Sequence, residues 1–248
     1  MEKTIQNIIA WLQEQTKEAG VNGLLVGVSG GLDSAVVAYL IQRAFPDNSL
    51  GVIMPVHTNS NDLAHAREVM DGSGIHGLTL DLSEAHNQMY TTISQQLKET
   101  NAFEQTSDQL ANANLQARLR MSALYTVAAH YNYLVVGTDN AAEWYIGYFT
   151  KYGDGGVDLH PLVTYTKQEV YAMGEYLGVP GAILTKKPSA GLWEGQTDES
   201  EIGMTYDTID AYLEGQEISA DDKELIEQKH QRTAHKRGAV KQYQRMDK

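Results

Sequence analysis

Leu24-Leu25-Val26-Gly27-Val28-Ser29-Gly30-Gly31-Leu32-Asp33-Ser34 runs from an apolar segment into a glycine-rich turn, and Ala35-Val36-Val37-Ala38-Tyr39-Leu40 follows as a second apolar segment. The order is strand, turn, helix. Such a junction offers backbone N–H groups and a helix N-terminus to an anion. Gly30 and Gly31 let the main chain come close to a phosphate and take backbone angles closed to other residues. Ser29 and Ser34 add hydroxyl donors. Asp33 is the discordant member, because a carboxylate repels a phosphate unless a cation lies between them. The turn therefore reads as a seat for a polyphosphate with its metal. Neither G-x-x-x-x-G-K-[ST] nor G-x-G-x-x-G is present, which sets aside the Walker A and dinucleotide-binding Rossmann loops.

Outward from the turn, apolar runs recur at 24–28, 52–56, 78–82 and 134–136, with helical patterns at 33–45, 60–71, 83–98 and 108–130. Continuous apolar strands alternating with helices predict an α/β fold, a doubly wound parallel sheet covered on both faces. Its ligand belongs at the carboxyl ends of the strands. The 29–34 turn closes the first strand and Gly137-Thr138-Asp139 the fourth, so the two are expected to face one cleft. An amphipathic first helix is marked by Ile5, Ile8, Ile9 and Leu12. Beyond Gly147 the 151–159 stretch is glycine-rich and polar, a loop. Helices are expected at 166–177, 204–214 and 219–234, with a loop or lid over 186–198.

The chain has 248 residues, 42% of them hydrophobic, which fits one large domain or one domain with a helical appendage. There is no cysteine, so disulfides, thiolate metal sites and a cysteine nucleophile are excluded. No apolar run reaches the length of a membrane span and no signal-like segment opens the chain, so a cytoplasmic protein is expected. A net charge of −13 speaks against a nucleic-acid binder. The charge is uneven. From Glu194 to Glu227 Lys223 is the sole basic residue, whereas from Lys229 onward the chain turns basic.

Asp139 and Glu143 are four residues apart and share a face of any helix after the fourth strand. Two carboxylates beside a phosphate loop suit Mg²⁺, which takes oxygen ligands and substrate phosphates. The competing reading is capping, favoured for Asp139 and weaker for Glu143. Arg118 and Arg120 point to different sides of a helix, so at most one shares the Leu115/Leu119/Ser122 side.

The Ser-Gly-Gly-x-Asp-Ser core resembles the loop of ATP pyrophosphatases, which cleave ATP between its α and β phosphates. Several separate segments resemble the ammonia-dependent NAD synthetases of that family: 27–34, Gln-Ala-Arg-Leu-Arg-Met at 116–121, Gly-Thr-Asp-Asn-Ala-Ala-Glu at 137–143, and Phe-Thr-Lys-Tyr-Gly-Asp-Gly at 149–155. Asp-Leu-His-Pro-Leu at 158–162, Leu-Trp-Glu-Gly-Gln-Thr-Asp-Glu at 192–199 and His-Lys-Arg at 235–237 complete the set in the right order.

The resemblance implies a Rossmann-like sheet of the adenine nucleotide alpha hydrolase type with added C-terminal helices. It implies a single domain over 1–248, with an ATP pyrophosphatase core at about 20–185 and a C-terminal lid and helices at about 186–248. The implied reaction is a ligase reaction, the last step of NAD biosynthesis. Deamido-NAD is amidated by free ammonia at the expense of ATP, through an adenylated intermediate, giving NAD, AMP and pyrophosphate.

By the same resemblance Gly27, Val28, Ser29, Gly30, Gly31, Leu32, Asp33, Ser34, Thr138, Lys167 and Ser189 bind ATP. Ser189 stands where some members carry threonine, another hydroxyl. Asp33 and Glu143 hold Mg²⁺, and Asp33 and Lys167 are the catalytic pair. Arg118, Lys151, Asp158, His235 and Lys236 contact deamido-NAD, with a homodimer placing that substrate at the subunit interface. No helix shows an obvious exposed apolar stripe in the sequence, so dimerisation rests on the resemblance. With no cysteine and no room for an amidase domain, ammonia is the expected nitrogen donor. The residues alone still admit a tRNA-modifying ligase sharing the loop, or a module that senses ATP without turning it over.

Overall fold

In a computed structural model, which describes residues 1–189 and 197–245, four parallel strands form the centre. They are β1 (Gly23–Gly27), β2 (Ser49–Ile53), β3 (His76–Thr79) and β4 (Tyr133–Val135), in the spatial order β3-β2-β1-β4. From β1 the chain steps outward through β2 to β3, then returns to place β4 on the other side of β1. The direction reverses between β1 and β4, and the crevice at that reversal lies between the carboxyl ends of these two strands.

Strand residues alternate between two cores. Leu24, Val26 and Val28 pack with α1 (Glu2–Ala19), α2 (Leu32–Ala44) and α7 (Lys167–Leu177), the last contributing Val170, Met173 and Leu177. Leu25, Leu50, Val52 and Val135 face Ala128 of the long helix α5 (Gln105–Tyr131). Helices thus cover both faces, and the strands are apolar on both sides as a buried parallel sheet requires. Ile5, Ile8 and Leu12 are the buried stripe of α1. Helix α3 (Ser60–Ser73) lies against α2, and α4 (Ser83–Glu99) against α5.

The C-terminal part builds a separate apolar cluster. Ala142 and Ile146 of α6 (Ala141–Ile146) pack with Ile202 of α9 (Asp198–Ile202), Ile209 of α10 (Tyr206–Leu213) and Ile226 of α11 (Ala220–Arg232). The helix expected over 219–234 stops at Thr233, and α12 (Ala234–Arg237) is a separate turn. A short α8 (Gly181–Leu184) precedes the segment expected as a lid. Residues 190–196 of that segment, Trp193 among them, lie outside the described residues.

The structure corrects the reading of α4. Met89, Ile93 and Leu97, spaced four apart, are 47%, 42% and 39% exposed, and Leu110 of α5 is 57% exposed. This is an apolar stripe that the sequence reading did not find. Among the described residues no helix is long and apolar enough to cross a membrane.

Candidate active site

Helix α2 begins with Gly31 as its N-cap and has no side-chain cap bond. Its first-turn N–H groups are therefore open to the crevice, the arrangement that receives an anion. The loop before it is already built. Gly31 N donates to Ser29 Oγ (3.2 Å), Ser29 N donates to Ser34 Oγ (3.2 Å), and the Ser34 hydroxyl donates to Gly31 O (3.0 Å). Gly30 has φ +78°, and a Cβ there would meet Asp62 O at 2.7 Å and Ala66 N at 2.9 Å, both backbone atoms of α3. Gly30→Ala should therefore cost about 1–3 kcal/mol and raise the KM for ATP. Denaturant midpoints and ATP titrations check this, and an unchanged midpoint with an unchanged KM would contradict it.

A cavity of about 550 Å³ opens at the crevice. Its walls include Gly27, Val28, Ser29, Gly31, Leu32, Asp33 and Ser34 from the first turn, Thr138 and Glu143 after β4, and Lys167, Ser189 and Lys236. At its centre Lys167 Nζ donates to Asp33 Oδ2 at 2.5 Å and stands 3.8 Å from Glu143 Oε1. Asn140 Nδ2 donates to Asp33 Oδ1 (3.2 Å), and the Tyr206 hydroxyl lies 2.7 Å from Glu143 Oε1 and 3.2 Å from Asp198 Oδ2. Lys167 is 4% exposed and occupies the first turn of α7, where the helix dipole disfavours a cation. Burial opposes its charge, but Asp33 and then Glu143 outweigh burial and hold its pKa above the ordinary lysine value. A local rule broken at this position, and compensated by two carboxylates, is the mark of a functional group.

Burial, and next the Asp33 charge, push the Glu143 carboxyl up to about 7, against the Lys167 charge and the Tyr206 hydrogen bond. The folded chain therefore holds a proton at Glu143 between its ordinary value of 4.5 and about 7 that the unfolded chain does not. Stability from this group is complete below the lower value and is lost as pH rises through the upper one. Thermal melts without nucleotide or metal should fall between pH 5 and 7.5, and Glu143→Gln should flatten that slope. An equal slope in both proteins would contradict the assignment.

One reading of this region is corrected. Asp139 does not cap α6. Asn140 is the cap, its side chain accepting from Glu143 N, while Glu143 Oε2 accepts from Asn140 N (3.2 Å) and closes a capping box. Glu143 thus caps the helix with one oxygen and faces Lys167 with the other. The α5 stripe lining the cavity is Ala113, Ala117, Arg120 and Leu124, so of the two arginines Arg120 turns inward and Arg118 is exposed. Arg120 faces the cavity and its Nε donates to Met54 O (3.0 Å).

Arg118, Lys151, Asp158 and His235 are not in the cavity wall. Arg118 is exposed and its Nε donates to Lys151 O (3.4 Å), while Lys151 Nζ donates to His235 O (2.7 Å). These three form a chain on the surface. The Asp158 carboxylate accepts from Val135 N (2.8 Å) and the Tyr125 hydroxyl (3.0 Å), fixing the end of β4. Lys236 reaches the cavity with its Nζ donating to Gly147 O and Phe149 O.

Arg120, Asp154 and Lys186 line the cavity and Tyr206 bonds Glu143, and the sequence reading assigned a role to none of the four. Lys186 Nζ donates to Asp62 Oδ1 (2.6 Å) and Gly30 O (3.3 Å), tying the segment after α8 to the glycine-rich turn and α3. Arg120 was legible in principle, since it continues the i, i+4, i+7 spacing of Ala113 and Ala117.

The comparisons with known proteins agree with this geometry. The NAD synthase family model matches residues 4–247. The chain belongs to the NAD synthase family. An NH(3)-dependent NAD(+) synthetase of Alkaliphilus metalliredigens is 52% identical over 233 residues, 94% of each protein. A solved structure described as NMN synthetase from Francisella tularensis superposes with a TM-score of 0.89 at 40% identity, covering 98% of both chains. The NH3-dependent NAD synthetase of Campylobacter jejuni superposes at 0.77, with 25% identity and the same coverage. The family is that expected from the motifs at 27–34, 116–121 and 137–143, and the parallel sheet with helices on both faces is the fold those motifs implied.

Proposed function

We propose that this NAD synthase family member is an ammonia-dependent ligase that adenylates the nicotinate carboxylate of deamido-NAD with ATP and then amidates it to NAD. The observation that carries the reading is the open N-terminus of α2 beside the buried Asp33–Lys167–Glu143 cluster, in a crevice large enough for a nucleotide. The curated relative, 52% identical, bears the corresponding name.

The residues suit each part of the reaction. The uncapped first-turn N–H groups of α2 and Lys167 offset phosphate charge, with Thr138 and Ser189 as further polar contacts in the wall. As the carboxylate attacks the α phosphorus, negative charge grows on the departing pyrophosphate, and preorganised donors offset it at little reorganisation cost. Among the described residues no group of three or more acidic or histidine side chains forms a closed metal site. Mg²⁺ needs none, since one or two carboxylates plus substrate phosphates suffice. Asp33 and Glu143 fit that donor set, being two carboxylates crowded around one cation, Lys167. Bound there, Mg²⁺ supplies charge neutralisation for the polyphosphate. The second step needs only ammonia and a site that excludes water from the acyl-adenylate. The chain has no cysteine to release ammonia from glutamine.

Deamido-NAD contacts are assigned to Lys236 in the wall and to the Arg118–Lys151–His235 chain and Asp158 outside it. A second copy of the chain completes that surface in a homodimer. The exposed Met89, Ile93, Leu97 and Leu110 stripe supports this arrangement, since such patches mark association surfaces. Light scattering should give the mass of two chains, and Ile93→Asp the mass of one. Wild-type protein with the mass of one chain would contradict the dimer. Free thiol-less chemistry and small-molecule substrates fit a cytoplasmic enzyme.

A second reading takes a nicotinate mononucleotide as the acceptor, and the likeness to the Francisella structure favours it. The carboxylate chemistry is the same. Rates of amide formation from the dinucleotide and the mononucleotide, each with ammonium or glutamine, decide the matter. The dinucleotide with ammonium should give the highest kcat/KM. A preference for the mononucleotide would move the assignment to the second reading, and strict glutamine dependence would exclude both.

A further inference from the structure

Helix α10 turns one face toward the helix that carries Lys167. Tyr206, its first residue, is 4% exposed, and Asp210, one turn later, is 3% exposed. Asp210 Oδ2 accepts from Gln168 N (3.3 Å) in the first turn of α7, so α10 grips α7 beside the lysine. Tyr206 is itself fixed at its backbone, where its N–H donates to Glu199 Oε1 (3.1 Å). Its side chain then meets both charges of the site. The hydroxyl donates to Glu143 Oε1 (2.7 Å) and lies 3.2 Å from Asp198 Oδ2, while Lys167 Nζ stands over the ring, 4.8 Å from its centroid. A phenol keeps its proton at neutral pH and donates it to a carboxylate, and its ring face attracts a cation. One side chain therefore serves the anion with its hydroxyl and the cation with its face. The adenylation chemistry described above gives it no part.

That placement decides which carboxylate takes the lysine. Glu143 Oε2 accepts from Asn140 N and Oε1 from the Tyr206 hydroxyl, so both oxygens have donors without Lys167. Nζ stands 3.8 Å from Glu143 Oε1, outside hydrogen-bond distance, and among the described residues it makes one hydrogen bond, to Asp33 Oδ2. Two of the three N–H donors of the ammonium are left for a ligand. Without the hydroxyl, Glu143 Oε1 would be a buried oxygen lacking a donor, which is costly. Lys167 Nζ stands close enough to supply one.

Resting on the ligase reading above, which sets Lys167 at the ATP phosphates, we propose that Tyr206 is a positioning residue that keeps Glu143 off Lys167 and so leaves the ammonium directed at the nucleotide. Tyr206 acts through Glu143 and Lys167 and touches no reacting atom. Its own place is set by the C-terminal apolar cluster, where it packs with Ile202, Ile209 and Ile226. The packing of α9, α10 and α11 thereby reaches the charges of the crevice through a single side chain.

Tyr206→Phe keeps the ring and its packing and removes the hydroxyl. Calorimetry with ATP and no acceptor reads nucleotide binding, and ATP–pyrophosphate exchange with the acceptor and no ammonia reads adenylation. Tyr206→Phe should weaken ATP binding roughly fivefold and lower exchange at saturating ATP about tenfold. Tyr212→Phe removes a hydroxyl from the same helix outside the cavity wall and should leave both within about twofold of wild type. In a Lys167→Met background Tyr206→Phe should change either quantity by less than about twofold, since the ammonium it serves is gone. Glu143→Gln supplies the same cycle if that double variant does not fold, because a neutral amide holds the lysine less strongly than a carboxylate. Equal losses from Tyr206→Phe in every background, or a lowered melting temperature with binding and exchange unchanged, would overturn the positioning role and leave the ligase reading standing. Wild-type protein that binds ATP but is silent in exchange with either acceptor would overturn the ligase reading, and the binding cycle alone would then decide the role of Tyr206.

Discussion

Lys167→Met should lower ATP–pyrophosphate exchange by about 10²–10³-fold, the loss seen when one preorganised donor to a developing charge is removed. The ammonium is 4% exposed and is shared by Asp33 and Glu143. Methionine keeps the length and the apolar stem but leaves two neighbouring carboxylates without their cation. Breaking a buried pair in this way costs about 3–5 kcal/mol, so the variant should also melt lower. The destabilisation has a sign in pH. Asp33 and Glu143 repel only when both are ionised, so the loss of stability should be larger at pH 8 than at pH 5. Exchange within threefold of wild type would remove Lys167 from the adenylation step. A melting deficit independent of pH would mean that the lysine acts through packing.

Asp33→Asn should have the next largest effect, about 10²-fold on exchange at millimolar Mg²⁺. The substitution keeps the size of the side chain and can still accept from Asn140 Nδ2, now 3.2 Å from Asp33 Oδ1. It removes the charge that a cation between loop and phosphate requires. Lys167 keeps Glu143 as a partner, so the fold should hold better than in Lys167→Met. Asp33→Asn should also shift the Mg²⁺ dependence to higher concentration. Near-normal exchange with unchanged Mg²⁺ dependence would contradict Asp33 as the metal ligand.

The first turn and the sheet were legible because they are written in local pattern. Apolar runs mark the strands, and the glycines and serines of 29–34 mark the turn. Strand limits drifted where apolar residues are buried outside strands. Met54 and Val56 are buried beyond the end of β2, which shifted the expected strand to 52–56 from Ser49–Ile53. The edge strand β3 is mostly exposed, so its apolar run at 78–82 falls past its end. Asp139 and Asn140 are equally able caps by type, and only the backbone decides between them. Choosing between Arg118 and Arg120 needs the rotation of α5 against the sheet. Lys186–Asp62 and Tyr206–Glu143 join residues 124 and 63 positions apart, and no periodicity reports such pairs. The α4 stripe escaped because exposure depends on which face of α4 the long helix α5 covers.

The central claim is that ATP activates the acceptor carboxylate at its α phosphorus. Deamido-NAD labelled with ¹⁸O in both carboxylate oxygens tests it directly in a single turnover with ATP and ammonium. The account predicts one labelled oxygen in the phosphate of AMP, one in the amide of NAD, and none in pyrophosphate. Label in inorganic phosphate or pyrophosphate, with AMP unlabelled, would place the attack on another phosphorus and contradict the account.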